Sequence, residues 1–209
     1  MMERQFIDLD SNSDSSPSIT HFSEEGALPW SGVVHMKKHD RFALARAWRQ
    51  DVFVLSGTIC GTEGICLSRG DFVSGLSDDL LSADDGSATL FLYCEPSAIR
   101  GRSRRVPASA RIWRAARAPL MDVATLSDEG HCLCLVRWRP GAIIPAHEHQ
   151  GGEEILVLEG ALHSGQSRLP AGSWLRVPPG SVPVLFATTP TLTLLRNGHL
   201  RSAGHARAA

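Results

Sequence analysis

Nothing in these 209 residues approaches the run of about 18 apolar positions that a membrane helix needs. The opening Met1-Met2-Glu3-Arg4-Gln5-Phe6-Ile7-Asp8-Leu9-Asp10 places acids where a secretory signal needs an apolar stretch, so a cytoplasmic location is the expectation. Cysteine is scarce: five residues, an odd number, with no Cys-x-x-Cys. That argues against a disulfide scaffold and a zinc-finger framework. Charge of one sign is lacking too. With 21 Lys+Arg against 22 Asp+Glu, the net charge of −1 gives no whole-protein attraction to nucleic acid or to an anionic membrane, and neither is an expected partner. No organic-cofactor motif is read. Turn formers are plentiful, 19 Gly and 12 Pro, which argues against long helical bundles.

From Leu28 onward, short apolar runs alternate with Gly, Pro and Asp clusters at spacings of roughly ten residues, the pattern of an all-β protein. Val52-Phe53-Val54-Leu55 and Ile155-Leu156-Val157-Leu158 are apolar at consecutive positions, so both faces of each strand should be buried. A lone small barrel would leave one face wet. The cover is a second barrel in the same chain or, failing that, a homodimer.

Those strands also expose an internal repeat. Gln50-Asp51-Val52-Phe53-Val54-Leu55-Ser56-Gly57 lies over Glu153-Glu154-Ile155-Leu156-Val157-Leu158-Glu159-Gly160 at an offset of 103. Leu67-Ser68-Arg69-Gly70-Asp71-Phe72-Val73 lies over Leu169-Pro170-Ala171-Gly172-Ser173-Trp174-Leu175, and Ala88-Thr89-Leu90 over Pro190-Thr191-Leu192, both at 102. Matched strands in matched order point to a duplicated β-domain. Between the copies run Arg100, Arg102, Arg104, Arg105, Arg111, Arg114 and Arg117 without an intervening acid. Only Trp113 there could stack on a base, so the stretch is read as a solvated linker paired with acids such as Asp78, Asp79, Asp84 and Asp85. Cys60 and Cys66 flank a hairpin tip as reduced, buried thiols, and Cys132-x-Cys134, at strand spacing, is read as filling one face of a strand in preference to binding metal.

One stretch of the second copy carries chemistry: Gly141-Ala142-Ile143-Ile144-Pro145-Ala146-His147-Glu148-His149-Gln150-Gly151-Gly152-Glu153. His147 and His149, two apart, point to one side of an extended chain. Gly151-Gly152 lets the chain turn so that Glu153 comes back toward them. Two imidazoles and a carboxylate on one side of an ion form a facial triad with open positions. A buried carboxylate beside imidazoles is costly without a cation.

Gly141, His147, His149, Glu153 and Gly160 resemble the first signature of the cupin superfamily, and Gly172, Pro178 and Gly180 resemble the second. The wording of residues 151–160 and 176–181 is most similar to the ChrR-type cupin-like domain. This resemblance implies an all-β chain of two tandem cupin double-stranded β-helix barrels, a bicupin. It reads residues 1–27 as a disordered tail, 28–98 as a degenerate, metal-free barrel and 99–110 as an Arg-rich linker. Residues 111–200 are read as a ChrR-like barrel with the metal site, and 201–209 as a tail. Two departures stand out. Pro183 occupies the position of the family's fourth ligand, a His, with His163 and His131 as the only nearby substitutes. The first-copy counterparts of the ligands are Leu44, Arg46 and Gln50, and that of Pro183 is Leu81, none a good donor. His35 and His39 read as solvated loop residues.

The expected cofactor is therefore one divalent ion, Fe, Zn, Mn or Ni, on His147, His149 and Glu153, in a pocket lined by Ile144, Leu175 and Phe186. Two functions follow. One is a small-molecule metalloenzyme of dioxygenase type, with no catalytic residue assigned. The other is a non-catalytic module that senses a metal, an oxidant or a metabolite. The anti-sigma factor that names the family has an N-terminal helical zinc domain, and nothing here matches its spacing.

Overall fold

The computed structural model describes residues 3–6, 17–22, 29–45, 48–62, 64–76, 80–96, 103–128, 131–147 and 150–200. The first part of the chain forms β1 (Glu3–Phe6), β2 (Ser18–His21), β3 (Trp30–Met36), β4 (Arg41–Ala43), β5 (Trp48–Ser56) and β6 (Thr58–Cys60). Next come β7 (Cys66–Ser68), β8 (Phe72–Leu76), β9 (Leu80–Ser82), β10 (Ala88–Pro96), β11 (Arg104–Val106) and β12 (Arg114–Ala115). The rest is β13 (Met121–Ser127), β14 (Cys132–Trp138), β15 (Ile143–Ile144), β16 (Glu153–Glu159), β17 (Ala161–Ser164) and β18 (Ser167–Pro170). β19 (Ser173–Val177), β20 (Leu185–Ala187) and β21 (Thr191–Asn197) complete it, and one 3₁₀ turn at Ala108–Ala110 is the only helical element among the described residues.

Two compact units result, one of residues 8–111, the other of 1–7 with 112–209. The first has a large sheet in the order β11-β8-β5-β10-β3-β2 and a small one, β4-β9-β6-β7. The second has β1-β19-β16-β21-β14-β13-β12 and β15-β20-β17-β18. Strand by strand the two arrangements are the same: β8-β5-β10-β3 matches β19-β16-β21-β14, and each small sheet has the same order. The repeat seen in the sequence is thus a repeat of topology.

Each unit closes over apolar side chains from both of its sheets. In the first, Val34, Val52, Val54, Val73, Leu90 and Leu92 meet Ile59, Leu67 and Leu81. In the second, Cys134, Val136, Trp138, Ile155, Val157, Leu175 and Leu195 meet Leu162, Leu169 and Leu185. Full burial of one such side chain stabilises by about 1.5–3 kcal/mol. The opposite parity is buried as well. Phe53 and Leu156 are 4% and 0% exposed, and Phe22 stacks on Phe91, which meets Tyr93 edge-on.

Outside the repeats the structure adds short edge strands that the sequence did not announce. Within the expected N-terminal tail, β1 pairs with β19 and β2 with β3, while residues 7–16 lie outside the described residues. All four side chains of β1 are exposed, so backbone hydrogen bonds alone hold it, and no apolar pattern announces it. The Arg-rich linker likewise contains a strand, β11, on the edge of β8. Arg105 of this strand pairs with Asp71, an acid outside the expected set. The Asp71 carboxylate accepts from Arg105 Nη2 (2.8 Å), Ala108 N (2.8 Å) and Ser68 N (3.2 Å). Arg111 lies over the Phe53 ring and Arg137 over Trp113. Asp84 accepts from Ser82 Oγ, whereas Asp78 and Asp79 lie outside the described residues. Cys60 and Cys66 are joined by a disulfide rather than standing as buried thiols, because the β6–β7 register sets them opposite each other, Cα atoms 4.1 Å apart. His35 is on β3 with Nδ1 3.3 Å from Thr89 Oγ1, not in a loop.

Candidate functional site

β15 pairs antiparallel with β20, Ile144 facing Leu185. The chain leaving Ile144 toward His147 and the chain reaching Leu185 from Pro183 therefore lie at the same end of that ladder. His147 is exposed, and its Nδ1 is 3.0 Å from the Pro145 carbonyl. A carbonyl only accepts, so Nδ1 carries the hydrogen and Nε2 the lone pair, the tautomer that ligates a metal ion. The glycines then set the return. A Cβ on Gly151 would lie 2.5 Å from Gly198 Cα, and one on Gly152, whose φ is +66°, 2.7 Å from Leu200 Cβ. Only glycine lets this segment lie against residues 198–200, where Leu200 N donates to Gly151 O and Gly198 N to Gly152 O.

Glu153 opens β16 on the same face as Ile155 and Val157, both in the barrel core, and is 5% exposed. The rung across the large sheet reads Val177, Glu153, Asn197, Cys132. In the first unit the corresponding rung reads Leu76, Gln50, Cys94, Trp30. There Gln50 Nε2 donates to Ala45 O, and Cys94 Sγ–H donates to Gln50 Oε1. Leu44 and Leu81, counterparts of His147 and Pro183, are core residues, while Arg46 lies outside the described residues. One barrel mouth thus carries a carboxylate and a thiol where the other carries an amide and an indole.

His149 and Glu148 lie outside the described residues, and among the described residues no three His, Cys, Asp or Glu side chains converge to hold an ion. The buried Glu153 and the His147 tautomer fit a divalent ion. Glu154 serves elsewhere: it is 1% exposed on the outer face, 3.5 Å from Arg176 Nε and 3.3 Å from His199 Nε2. His131 lies beside His199, with ring centroids 6.1 Å apart. His163 stacks on Phe186 and lies 3.2 Å from Thr188 Oγ1. Phe186 therefore does not join the core with Ile144 and Leu175, as the pocket expectation had it, because its neighbours Leu185 and Ala187 take the inward parity.

The sequence reading preferred strand filling to metal binding for Cys132 and Cys134. Cys132 is exposed at the mouth, and Cys134, two rungs deeper, is 5% exposed. A hydrogen bond from the Cys134 thiol brings Cys132 down to about 7, against burial and the Asp128 and Glu153 carboxylates, which push it up. The same bond, with burial, pushes Cys134 well up. The two-residue spacing in the sequence was the available signal; the position beside Glu153 was not, because it depends on β21 lying between β14 and β16.

A cleft of about 410 Å³ lies elsewhere in the second unit, between Asp122, Arg137, Arg139, Glu159 and Leu192. Six residues along β16 separate Glu159 from Glu153, about 20 Å of extended chain. Arg139 Nη2 donates to Asp122 at 2.8 Å, so charges are already paired within it.

Residues 103–200 match the family of the ChrR cupin-like domain. No curated protein matches the sequence. Among solved structures, a Pseudomonas aeruginosa protein provisionally named as glyoxylate-induced has a TM-score of 0.73 at 13% identity, covering 92% of this chain and 82% of its own. Salicylate 1,2-dioxygenase from Pseudaminobacter salicylatoxidans gives 0.68 at 13%, covering 87% and 76%. Streptomyces albus HEPD, with 2-hydroxyethylphosphonate and Fe(II) bound, gives 0.70 at 11%, covering 97% and 77%. At such identities the likeness shows the fold alone.

Proposed function

We propose that the second barrel, a ChrR cupin-like domain, holds a divalent ion on His147, His149 and Glu153 and acts as a small-molecule metalloenzyme of dioxygenase type. The observation that carries this reading is Glu153. It is a carboxylate only 5% exposed, at the end of the barrel where the His147 segment enters, and it stands where the matching rung of the other barrel has a neutral Gln50, so this barrel alone presents an anionic oxygen ligand there. An ion in such a site supplies Lewis acidity and, with a redox metal, electrons for O₂ chemistry. Glu153 provides the negative charge, and His147 a nitrogen lone pair set by the Pro145 carbonyl. Pro183 has no donor atom at the fourth-ligand position, which leaves room for substrate. Leu175 and Ile144, in and against the core, keep water from the barrel side. Two of the structural relatives are dioxygenase or Fe(II) proteins by description, which supports the class of chemistry and not the substrate.

The test is O₂ consumption by protein loaded in turn with Fe, Zn, Mn or Ni, against small phenols and diketones. Turnover with a redox metal, lost in His147→Ala and reduced in Pro183→His, supports the enzyme. Tight metal binding without turnover on any of them transfers the reading to a sensing module.

A further inference from the structure

The cysteine pair of β14 is a candidate site independent of that reading. Cys132 and Cys134 are two apart on β14 and both stand in its register with β21, opposite Asn197 and Leu195, so their side chains share one face. Cys134 belongs to the apolar core, whereas Cys132 is exposed. The first unit has no such pair: on the strand that matches β14, Trp30 and Gly32 pair with Cys94 and Leu92, as Cys132 and Cys134 pair with Asn197 and Leu195.

Strand geometry decides between two uses of these thiols. Residues two apart in an extended strand have Cα atoms about 6.8 Å apart, the far limit for a disulfide, and the β21 ladder, which runs through both Cys132 and Cys134, holds the backbone there. The Cys60–Cys66 pair, at 4.1 Å, is well within that limit and is joined. An ion between two sulfurs asks less of the backbone. With metal–sulfur bonds of about 2.3 Å, the sulfurs need to stand roughly 4.5 Å apart, less than the Cα separation and within reach of two side chains on one strand face.

We propose that Cys132 and Cys134 form a two-coordinate thiolate site for a soft, thiophilic cation of the Cu(I) class. Two sulfur donors, one in an apolar wall and one at the solvent edge, suit a d¹⁰ ion that accepts linear coordination, and thiolates select such ions over hard ones. Binding releases to solvent whatever protons the two sulfurs still carry, at most one from each, and the complex carries a single negative charge in place of the two of a free dithiolate.

The experiment is a titration of the full-length chain with Cu(I), anaerobically and against a coloured Cu(I) chelator. Retention of one ion per chain is expected, with X-ray absorption showing two sulfur neighbours. Cys132→Ser should weaken retention by at least about tenfold. His147→Ala and the double variant Cys60→Ser, Cys66→Ser should leave it unchanged. Cys134→Ser tests the buried donor. Should that variant fail to fold, Cys132→Ser, at an exposed position, still decides. Protection of Cys132 from alkylation in the loaded chain is the second readout. Retention unaffected by Cys132→Ser, retention lost in His147→Ala or in the double variant, or no retention against the chelator overturns the site. Failure of divalent-ion binding at His147, His149 and Glu153 would leave this result standing.

Discussion

Cys132 has the most directly measurable chemistry of any single residue in the second unit. The hydrogen bond from Cys134 brings its pKa down to about 7, against 9.0 for an unperturbed thiol, which favours the reactive thiolate. In the metal-free chain, alkylation of Cys132 by iodoacetamide should rise with pH to a midpoint near 7, and Cys134→Ala, which removes the donated hydrogen bond, should move the midpoint upward. A midpoint near 9 in the wild type would contradict the contact. His199 makes a second, opposite case. Burial pushes it below 6.5; the Glu154 carboxylate resists that, and Arg196 and His131 add to it. The unfolded chain protonates His199 near 6.5 while the folded one does not. The stability this neutral residue contributes is therefore present above 6.5 and lost as pH falls below it, by at most about 1.4 kcal/mol per pH unit. Melting temperatures of His199→Gln should accordingly decline less steeply than wild type below pH 6.5.

At the scale of elements, Asp71, just before β8, fixes the edge of the first unit by gathering β11, the turn at Ala108 and the end of β7 on one carboxylate. Burial pushes that carboxyl up, but the Ala108 amide, the Arg105 guanidinium and the Ser68 amide outweigh it and hold it below its ordinary value. Asp71→Asn should cost about 1–3 kcal/mol in denaturant unfolding, because donors on three elements lose their charged acceptor. A loss under about 0.5 kcal/mol would mean that this edge is not stabilised here. The same elements show what could be read from the sequence. Val52-Phe53-Val54 and Ile155-Leu156-Val157 were legible as doubly buried strands because apolar residues fill both parities. The Gly151-Gly152 turn into Glu153 was legible because close backbone approach requires those residue types. β1 and β11 were hidden because they join sheet edges through backbone hydrogen bonds, with side chains in solvent. The Cys60–Cys66 disulfide was hidden because it depends on a cross-strand register, which spacing alone does not fix.

For the whole molecule, the same topology used twice carries a donor rung in one unit and a neutral one in the other, so function is assigned to the mouth of the second barrel. The His147-x-His149 spacing to Glu153 made that mouth visible in sequence; Cys132 and Asn197 beside Glu153 became visible only once β14, β21 and β16 were in order. The central claim is that this mouth holds a divalent ion. Elemental analysis of full-length protein, expressed with ample metal and purified without chelator, tests it most directly. The account predicts close to one ion per chain, lost in His149→Ala and Glu153→Gln and retained in Glu154→Gln, whose carboxylate faces Arg176 and His199 instead. Metal binding to the folded state alone should also raise the melting temperature of the wild type. Less than about a tenth of an ion per wild-type chain, or equal loss in Glu153→Gln and Glu154→Gln, would contradict it.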